Sequence, residues 1–309
     1  MRLSERQFLR LAWVTLGYAI AVIIWGAVVR ATSSGAGCGA HWPLCNGDVV
    51  PLAPRVQTVI EFAHRTTSGL ILLLTAALVW AARSSYPAGH AARRAAGWSM
   101  VFVLIEAAVG AGIVLLRLVE DNASALRAGY IAAHLANTLV LVGMYTWTVY
   151  AAVPRAAAWT AEAAARRRPW FGAALLGLIV VAAAGAIVAL GDTLFPAATL
   201  REGLAADRDP AAHFLIRLRM WHPLLAVTLS VYVLSVIWQS DATDVAAVKT
   251  PARLAQWLIM GQVALGVVNI VFLAPLALQM LHLAVSNLLW VALVWLWLAA
   301  RGPEGPRLR

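Results

Sequence analysis

Charged side chains are scarce in this sequence of 309 residues. Only 12% of the residues are Asp, Glu, Lys or Arg, 62% are hydrophobic, and the mean hydropathy is +0.78. So little charge excludes an ordinary soluble domain and is typical of a protein that crosses a membrane several times. We therefore predict an all-α integral membrane protein.

Eight apolar segments have the roughly 20 residues that a membrane-spanning helix needs. The first segment is too long for the core of a signal peptide and lacks a convincing small-residue cleavage site, so it is predicted to remain as a helix. The predicted spans are 8–30, 59–82, 96–116, 127–151, 170–191, 214–238, 254–273 and 276–300.

The few charges are divided unequally between the two sides of these spans. Lys and Arg resist translocation, and fifteen of the 24 basic residues lie in the two tails and in the loops after the second, fourth and sixth spans. This predicts a multi-pass plasma-membrane protein with both termini in the cytoplasm. The asymmetry also accounts for the net charge of +10, so we expect these charges to meet the lipid bilayer and not nucleic acid.

The sequence repeats itself weakly but in a consistent order, which predicts eight transmembrane helices arranged as two tandem, pseudo-symmetric four-helix bundles. The bundles are predicted at 1–153 and 170–309, and a basic cytoplasmic linker at 154–169 joins them. The matching elements are 26–29 with 185–188, Glu106 and Gly110 with Gln262 and Gly266, and 134–136 with 282–284.

Four histidines, His64, His134, His222 and His282, lie near the starts of the second, fourth, sixth and eighth spans. Alternate spans start on the same side of a membrane, so all four are predicted at one depth near the outer leaflet. A single buried histidine is commonly a polar bridge between helices, but four at matched depth favour metal or haem ligation. The repeat pairs the first two and the last two. Because no carboxylate or cysteine accompanies the last two, haem held between two imidazoles is favoured over zinc.

Glu61 precedes His64 by three residues and Arg65 by four, so the three side chains share a helix face. The carboxylate either pairs with Arg65 or lies beside a haem edge, where it would act in proton transfer or charge stabilisation. The second half has Arg219 in the matching position. This difference predicts substrate chemistry in the N-terminal half and cofactor holding in the C-terminal half.

The only two cysteines, Cys38 and Cys45, lie in the first outer loop, where an oxidising compartment favours a disulfide. The bond would be either a structural staple or a dithiol that exchanges electrons near a haem. Arg30 ends the first span and either pairs with a haem propionate or extends to lipid headgroups. We take Arg30 and Arg65 as candidate cofactor-binding residues.

Together these features resemble haem A synthase, the membrane enzyme family that converts haem O to haem A. The resemblance covers nearly the whole chain, and its specific parts are the cysteine loop with Trp42-Pro43 and the Glu-x-x-His-Arg segment at 61–65. It implies two successive hydroxylations that turn a ring methyl of haem O into a formyl group. It also implies substrate haem at His64 and His134, a role for Glu61 in activity, and haem b at His222 and His282.

Two other functions use the same histidines, namely a quinol-linked dihaem b-type cytochrome and a haem exporter or chaperone. The acid at position 61 and the cysteine loop favour the synthase, because neither alternative predicts them. The resemblance implies haem O as a partner molecule, delivered by a haem O synthase, and an electron acceptor that no residue identifies. The sequence is compatible with a homo-oligomer.

Overall fold

The computed structural model describes residues 3–153 and 158–301, and within them all regular secondary structure is helical. The helices are α1 (Glu5–Ala31), α2 (Val56–Ser85), α3 (Ala91–Leu115), α4 (Ala125–Ala152), α5 (Ala161–Leu194), α6 (Leu200–Ala206), α7 (Phe214–Arg217), α8 (Trp221–Gln239), α9 (Lys249–Val271) and α10 (Leu276–Ala299). A 3₁₀ turn at Leu218–Met220 connects α7 to α8.

Eight helical segments are long and apolar enough to cross a membrane, with α7 and α8 counted as one segment of 26 residues. The predicted class of all-α membrane protein with eight spans is therefore confirmed. The predicted orientation, with both termini in the cytoplasm, stays a prediction. Four of the basic residues used for it, Arg2, Arg155, Arg307 and Arg309, lie outside the described residues.

Several helices begin earlier than the apolar pattern predicts, because polar caps and not hydropathy set their first turns. Helix α3 begins at Ala91, where the His90 side chain accepts a hydrogen bond from the Ala92 amide. Helix α5 begins at Ala161, nine residues before the predicted span, and includes Pro169. Its cap is Thr160, so part of the predicted linker 154–169 is helical, while residues 154–157 lie outside the described part of the chain.

The long helices of each half pack in chain order, and the first and fourth also pack against each other. In the N-terminal half these neighbours are α1 to α4, and in the C-terminal half they are α5, α8, α9 and α10. Helices α1 and α4 contact α5 and α10 across the interface between halves. These contacts agree with the predicted repeat, while the pseudo-symmetry and the two-domain division stay predictions.

A buried hydrogen bond joins the two helices that carry the first histidine pair. The hydroxyl oxygens of Thr75 on α2 and Tyr145 on α4 are 2.5 Å apart, and both residues have no exposed surface. Thr75 also donates to the Ile71 carbonyl. Packing and hydrogen bonding between Thr75 and Tyr145 therefore fix the distance between α2 and α4 on the C-terminal side of the histidines in both helices.

We expect Tyr145→Phe to destabilise the protein by about 1 kcal/mol, because it removes one interhelical hydrogen bond. Tyr145→Ala should cost about 3 to 5 kcal/mol, since it also leaves a cavity. Thermal unfolding in detergent measures both. Tyr232, which is 36% exposed and donates to the Trp170 carbonyl, provides the comparison for the alanine variants. Tyr232→Ala opens no buried cavity and should cost less, so equal losses for Tyr145→Ala and Tyr232→Ala would contradict this role for Tyr145.

Candidate functional site

Two of the four histidines lie directly against a glycine of the preceding long helix. A Cβ atom added to Gly26 on α1 would lie 2.9 Å from Cε1 of His64, and one added to Gly185 on α5 would lie 2.8 Å from Cε1 of His222. Real side chains essentially never approach so closely, so any larger residue would displace the imidazole. The absence of a side chain is therefore what gives each ring its place beside the neighbouring backbone.

The other two histidines also face glycines, at a longer distance. A Cβ atom on Gly110 would lie 3.7 Å from Cε1 of His134, and one on Gly266 would lie 3.6 Å from Cε1 of His282. These are ordinary van der Waals separations. Each half therefore has one tight and one looser contact between histidine and glycine, in the same order along the chain.

All four histidines lie within the first ten residues of their membrane-spanning segments, which begin at Val56, Ala125, Phe214 and Leu276. Alternate spans of a bundle start on the same side of a membrane. The structure thus agrees with the matched depth that the sequence predicts, while the side of the membrane on which they lie stays a prediction.

The rings of His222 and His282 are 6.4 Å apart between centroids and inclined at 76°. Two iron–nitrogen bonds of about 2 Å, with roughly 1 Å from each ring centre to its nitrogen, span roughly 6 Å, so this separation fits a metal held between two imidazoles. The Nδ1 atom of His222 is 3.0 Å from the Val181 carbonyl oxygen. Because a carbonyl only accepts, we assign the Nδ1–H tautomer, which leaves Nε2 with a free lone pair for a metal.

Within the first pair, His134 has a carboxylate partner that sequence reasoning did not find. Its Nδ1 atom is 3.3 Å from Oε1 of Glu106 on α3, which is an ion-pair distance without the geometry of a hydrogen bond. The Asn137 amide donates to Oε2 of Glu106 at 2.5 Å, and the Thr138 hydroxyl hydrogen bonds to Oε1. Nδ1 of His64 is buried and has no hydrogen-bond partner among the described residues.

Glu61 fastens the cysteine loop to the start of α2. It is only 3% exposed, and its Oε2 atom accepts a hydrogen bond from the Cys38 amide at 2.7 Å. The predicted pair with Arg65 is present, with 2.5 Å between Nη2 and Oε1. Arg65 also donates to the carbonyls of His41 and Leu44. Glu61 therefore binds the loop at Cys38, and Arg65 binds it at His41 and Leu44.

Cys38 and Cys45 form the predicted disulfide. They are 0% and 1% exposed, respectively. Thiol–disulfide exchange requires that an attacking thiolate reach one of the sulfurs. Burial of both residues favours the structural staple over a dithiol that exchanges electrons.

Arg219, in the position that corresponds to Glu61, binds the segment between α5 and α8. It pairs with Asp192 at 2.9 Å and donates to the carbonyls of Gly191 and Phe195 at the end of α5. It also approaches Asp207, 3.8 Å away. Burial raises the pKa of Asp207 above its usual range, and the charge of Arg219 opposes that rise. The predicted difference, with the acid Glu61 in the first half and the base Arg219 in the second, is present, but each of these side chains holds a loop.

Arg30 extends from α1 into the C-terminal half. Its Nη1 atom donates to the Ala189 carbonyl at 2.5 Å and to the Thr193 hydroxyl at 2.6 Å. Its Nη2 atom donates to Gln279, three residues before His282, at 2.8 Å. The side chain is thus turned toward protein acceptors beside the second histidine pair, and a role toward a haem propionate stays a prediction.

The fold and the site define a multi-pass α-helical membrane protein with four histidines that each face a glycine. Residues 9–294 match the model of the COX15-CtaA family, described as cytochrome oxidase assembly protein. The chain belongs to this family.

Curated relatives carry two different names. A "Protoheme IX farnesyltransferase" of Thermus thermophilus is 41% identical over 300 residues, which are 92% of this chain and 47% of that protein. A "Heme A synthase" of Shouchella clausii is 29% identical over 302 residues, 93% of this chain and 95% of the relative. Another "Heme A synthase", from Exiguobacterium sibiricum, is 36% identical over 130 residues, which are 42% of this chain and 43% of that protein. The chain thus spans about half the length of the Thermus relative, and the predicted family is confirmed.

Gly185→Ala should lower the stability of the protein, because the added methyl group would force His222 off the Val181 carbonyl. We expect a loss of about 1 to 3 kcal/mol from overpacking. Gly261→Ala on α9 is the control, since a Cβ atom there meets nothing within 4 Å and alanine is the better helix former. Thermal unfolding should therefore move in opposite directions for the two variants, and a shift of the same sign would contradict the close contact.

Replacing both cysteines with alanine should destabilise the protein by about 2.5 kcal/mol, the entropy of closing a short loop. If the disulfide is a staple, biochemical activity should follow the folded fraction and return at lower temperature. Thermal unfolding and activity are measured on the same samples, with Ser33→Ala in the same loop as a control. A double variant that is folded at low temperature but inactive would identify a redox role instead.

Proposed function

We propose that this protein is a haem A synthase, an oxidoreductase that converts a ring methyl of haem O to the formyl group of haem A for cytochrome oxidase. The observation that carries the proposal is the pair His222 and His282, whose ring separation of 6.4 Å suits an axially ligated haem. It occurs in a chain aligned over 93% of its length with a protein named Heme A synthase.

The proposed division of labour places substrate haem O at His64 and His134 and a resident haem b at His222 and His282. Glycine at positions 26 and 185 supports both sites in the same way, because it lets an imidazole rest against a helix backbone. When bound, haem iron supplies the redox chemistry. The four histidines would hold the haems through ring nitrogens, the facing glycines set the places of the rings, and the apolar helices around them would exclude water.

Glu61 is assigned to the substrate half. It lies on the same face of α2 as His64, one turn toward the outer end, and its contacts with Cys38 and Arg65 hold the cysteine loop over that end. We propose that this carboxylate contributes charge beside the haem edge and keeps the loop closed during oxidation. Arg219, in the other half, would close the second site as a base that pairs with Asp192.

The Thermus relative suggests where the substrate comes from. That protein is named for farnesyl transfer to protohaem, and this chain matches only 47% of it. We propose that this chain corresponds to a part that consumes the farnesylated product, and that a haem O synthase is its supplier. Purified protein given haem b and farnesyl diphosphate should then form no haem O.

We further propose that both termini are cytoplasmic and that the histidine pairs lie near the outer leaflet. Arg83 near the end of α2 and Arg93 and Arg94 near the start of α3 support this orientation, because Lys and Arg are retained on the cytoplasmic side. Such a location would place the cysteine loop in an oxidising compartment, which agrees with the disulfide.

Co-expression with a source of haem O, followed by chromatography and mass spectrometry of extracted haems, should show haem A. His64→Ala and His134→Ala should abolish it and leave much of the C-terminal haem, whereas His222→Ala should remove a low-spin b-type spectrum. His41→Ala, in the outer loop, is the control. Haem A at wild-type levels from both N-terminal variants would show that the substrate site is wrongly placed.

Glu61→Gln should cause haem O or a hydroxylated intermediate to accumulate in a folded protein. Glutamine keeps the size of the side chain and an acceptor for the Cys38 amide, so the substitution removes charge and leaves the loop contact. Arg65→Gln is the partner variant, which breaks the same ion pair and keeps the acid. If Glu61→Gln makes normal amounts of haem A, the carboxylate only holds the loop.

A further inference from the structure

Glu106 is an acidic residue within a membrane-spanning helix, and the proposed reaction assigns it no role. Acids in such positions are uncommon and mark functional sites more often than not. Its carboxylate receives hydrogen bonds from the Asn137 amide and the Thr138 hydroxyl, and the third neighbour is Nδ1 of His134. All three partners lie on α4, so the carboxylate is held against one short stretch of that helix.

The contact is made by the nitrogen that a haem ligand does not use when Nε2 binds iron. A ligating histidine commonly donates its other N–H to a carboxylate or a carbonyl, which fixes the tautomer and makes the imidazole a stronger electron donor. His222 has such a partner in the neutral carbonyl of Val181. His134 instead has the Glu106 carboxylate 3.3 Å from its Nδ1 atom, without hydrogen-bond geometry. A negative charge so close raises the electron density of the imidazole.

The repeat supplies a comparison within the same molecule. Glu106 stands four residues before Gly110, which faces His134, and Gln262 stands four residues before Gly266, which faces His282. Nδ1 of His134 and Nδ1 of His282 both lack a hydrogen bond among the described residues, as does Oε1 of Gln262. Only His134 has a carboxylate at ion-pair distance. The two halves therefore place an acid and its neutral isostere at matching positions.

We propose that Glu106 is a positioning residue that holds His134 as a fixed, electron-rich axial ligand and so lowers the reduction potential of the N-terminal haem relative to the C-terminal one. Increased electron donation from the ligand stabilises ferric over ferrous iron. The two haem sites would then differ in potential because of one carboxylate, although both are built from paired histidines. This inference rests on the proposed haem sites.

The test isolates each site in the full-length protein and uses haem b as the probe. A His282→Ala background leaves the N-terminal site, and a His134→Ala background leaves the C-terminal site. Haem affinity is measured by absorbance titration and the midpoint potential by optical redox titration. Glu106→Gln is examined in the first background, and the reciprocal Gln262→Glu in the second. Glu162→Gln, an exposed residue at the start of α5, serves as the remote control in both.

We expect Glu106→Gln to weaken haem binding at the N-terminal site by roughly 10- to 100-fold and to raise its midpoint potential. A loss of affinity that is tenfold larger for ferric than for ferrous haem corresponds to a rise in midpoint potential of about 59 mV. Gln262→Glu should shift the C-terminal potential in the opposite direction, and the control should change neither value. A purely structural role for Glu106 would weaken binding without these opposite shifts.

The inference is overturned if both variants bind haem with unchanged potentials. If Glu106→Gln does not fold, Gln262→Glu decides alone, because the acid is then added to a site that is intact without it. Failure of the proposed function gives a different result, since neither background would bind haem b with paired-histidine absorbance even before the acid or amide is changed.

Discussion

The close approach of an imidazole to a glycine backbone is the contact on which both candidate sites depend. A histidine in a membrane bundle needs space beside the neighbouring helix and a partner for each ring nitrogen. Gly26 and Gly185 provide the space. At the second of these positions the ring also reaches the Val181 carbonyl. With a bulkier residue there, helix packing would have to open, and the paired rings would separate.

The arginines at the histidine end of the bundle also need partners for their polar atoms. Uncompensated charge is costly in hydrocarbon, and Arg30 and Arg219 meet this by donating to carbonyls, hydroxyls and carboxylates of several helices. Because Arg30 belongs to α1 and its acceptors to α5 and α10, the two halves share one network. Substitutions in one half can therefore affect the other, and their effects need not be additive.

The sequence was sufficient for the fold class, because it follows from period and order along the chain. The ring contact of His222 with His282 agrees with the predicted pairing of the last two histidines. Apolar length defined eight spans, and the repeat of His134 by His282 indicated equivalent positions. Helix starts were less accurate, since caps such as Thr160 lie outside the apolar runs. The short helix α6 contributes no apolar run and was not predicted.

Patterns along the sequence did not predict the contacts between helices that are distant in the chain. Arg30 finds acceptors 159 and 249 residues away, and no spacing rule connects such positions. The meeting of Glu106 with His134 depends on how α3 packs against α4. Its only sequence signal was indirect, in the substitution of Gln262 for the acid at the matching place in the repeat, and that signal gave a location without a role.

The two loop tethers have a consequence for how the halves can diverge. Glu61 binds a backbone amide and a guanidinium, whereas Arg219 binds carbonyls and carboxylates. The residue three positions before the histidine therefore meets a group of opposite polarity in each half: Glu61 meets the Cys38 amide, and Arg219 meets the carbonyls of Gly191 and Phe195. Exchanging the two loops would place a carbonyl against Glu61 or an amide against Arg219. Chimaeras of the two halves should therefore be cut so that each loop stays with its own histidine helix.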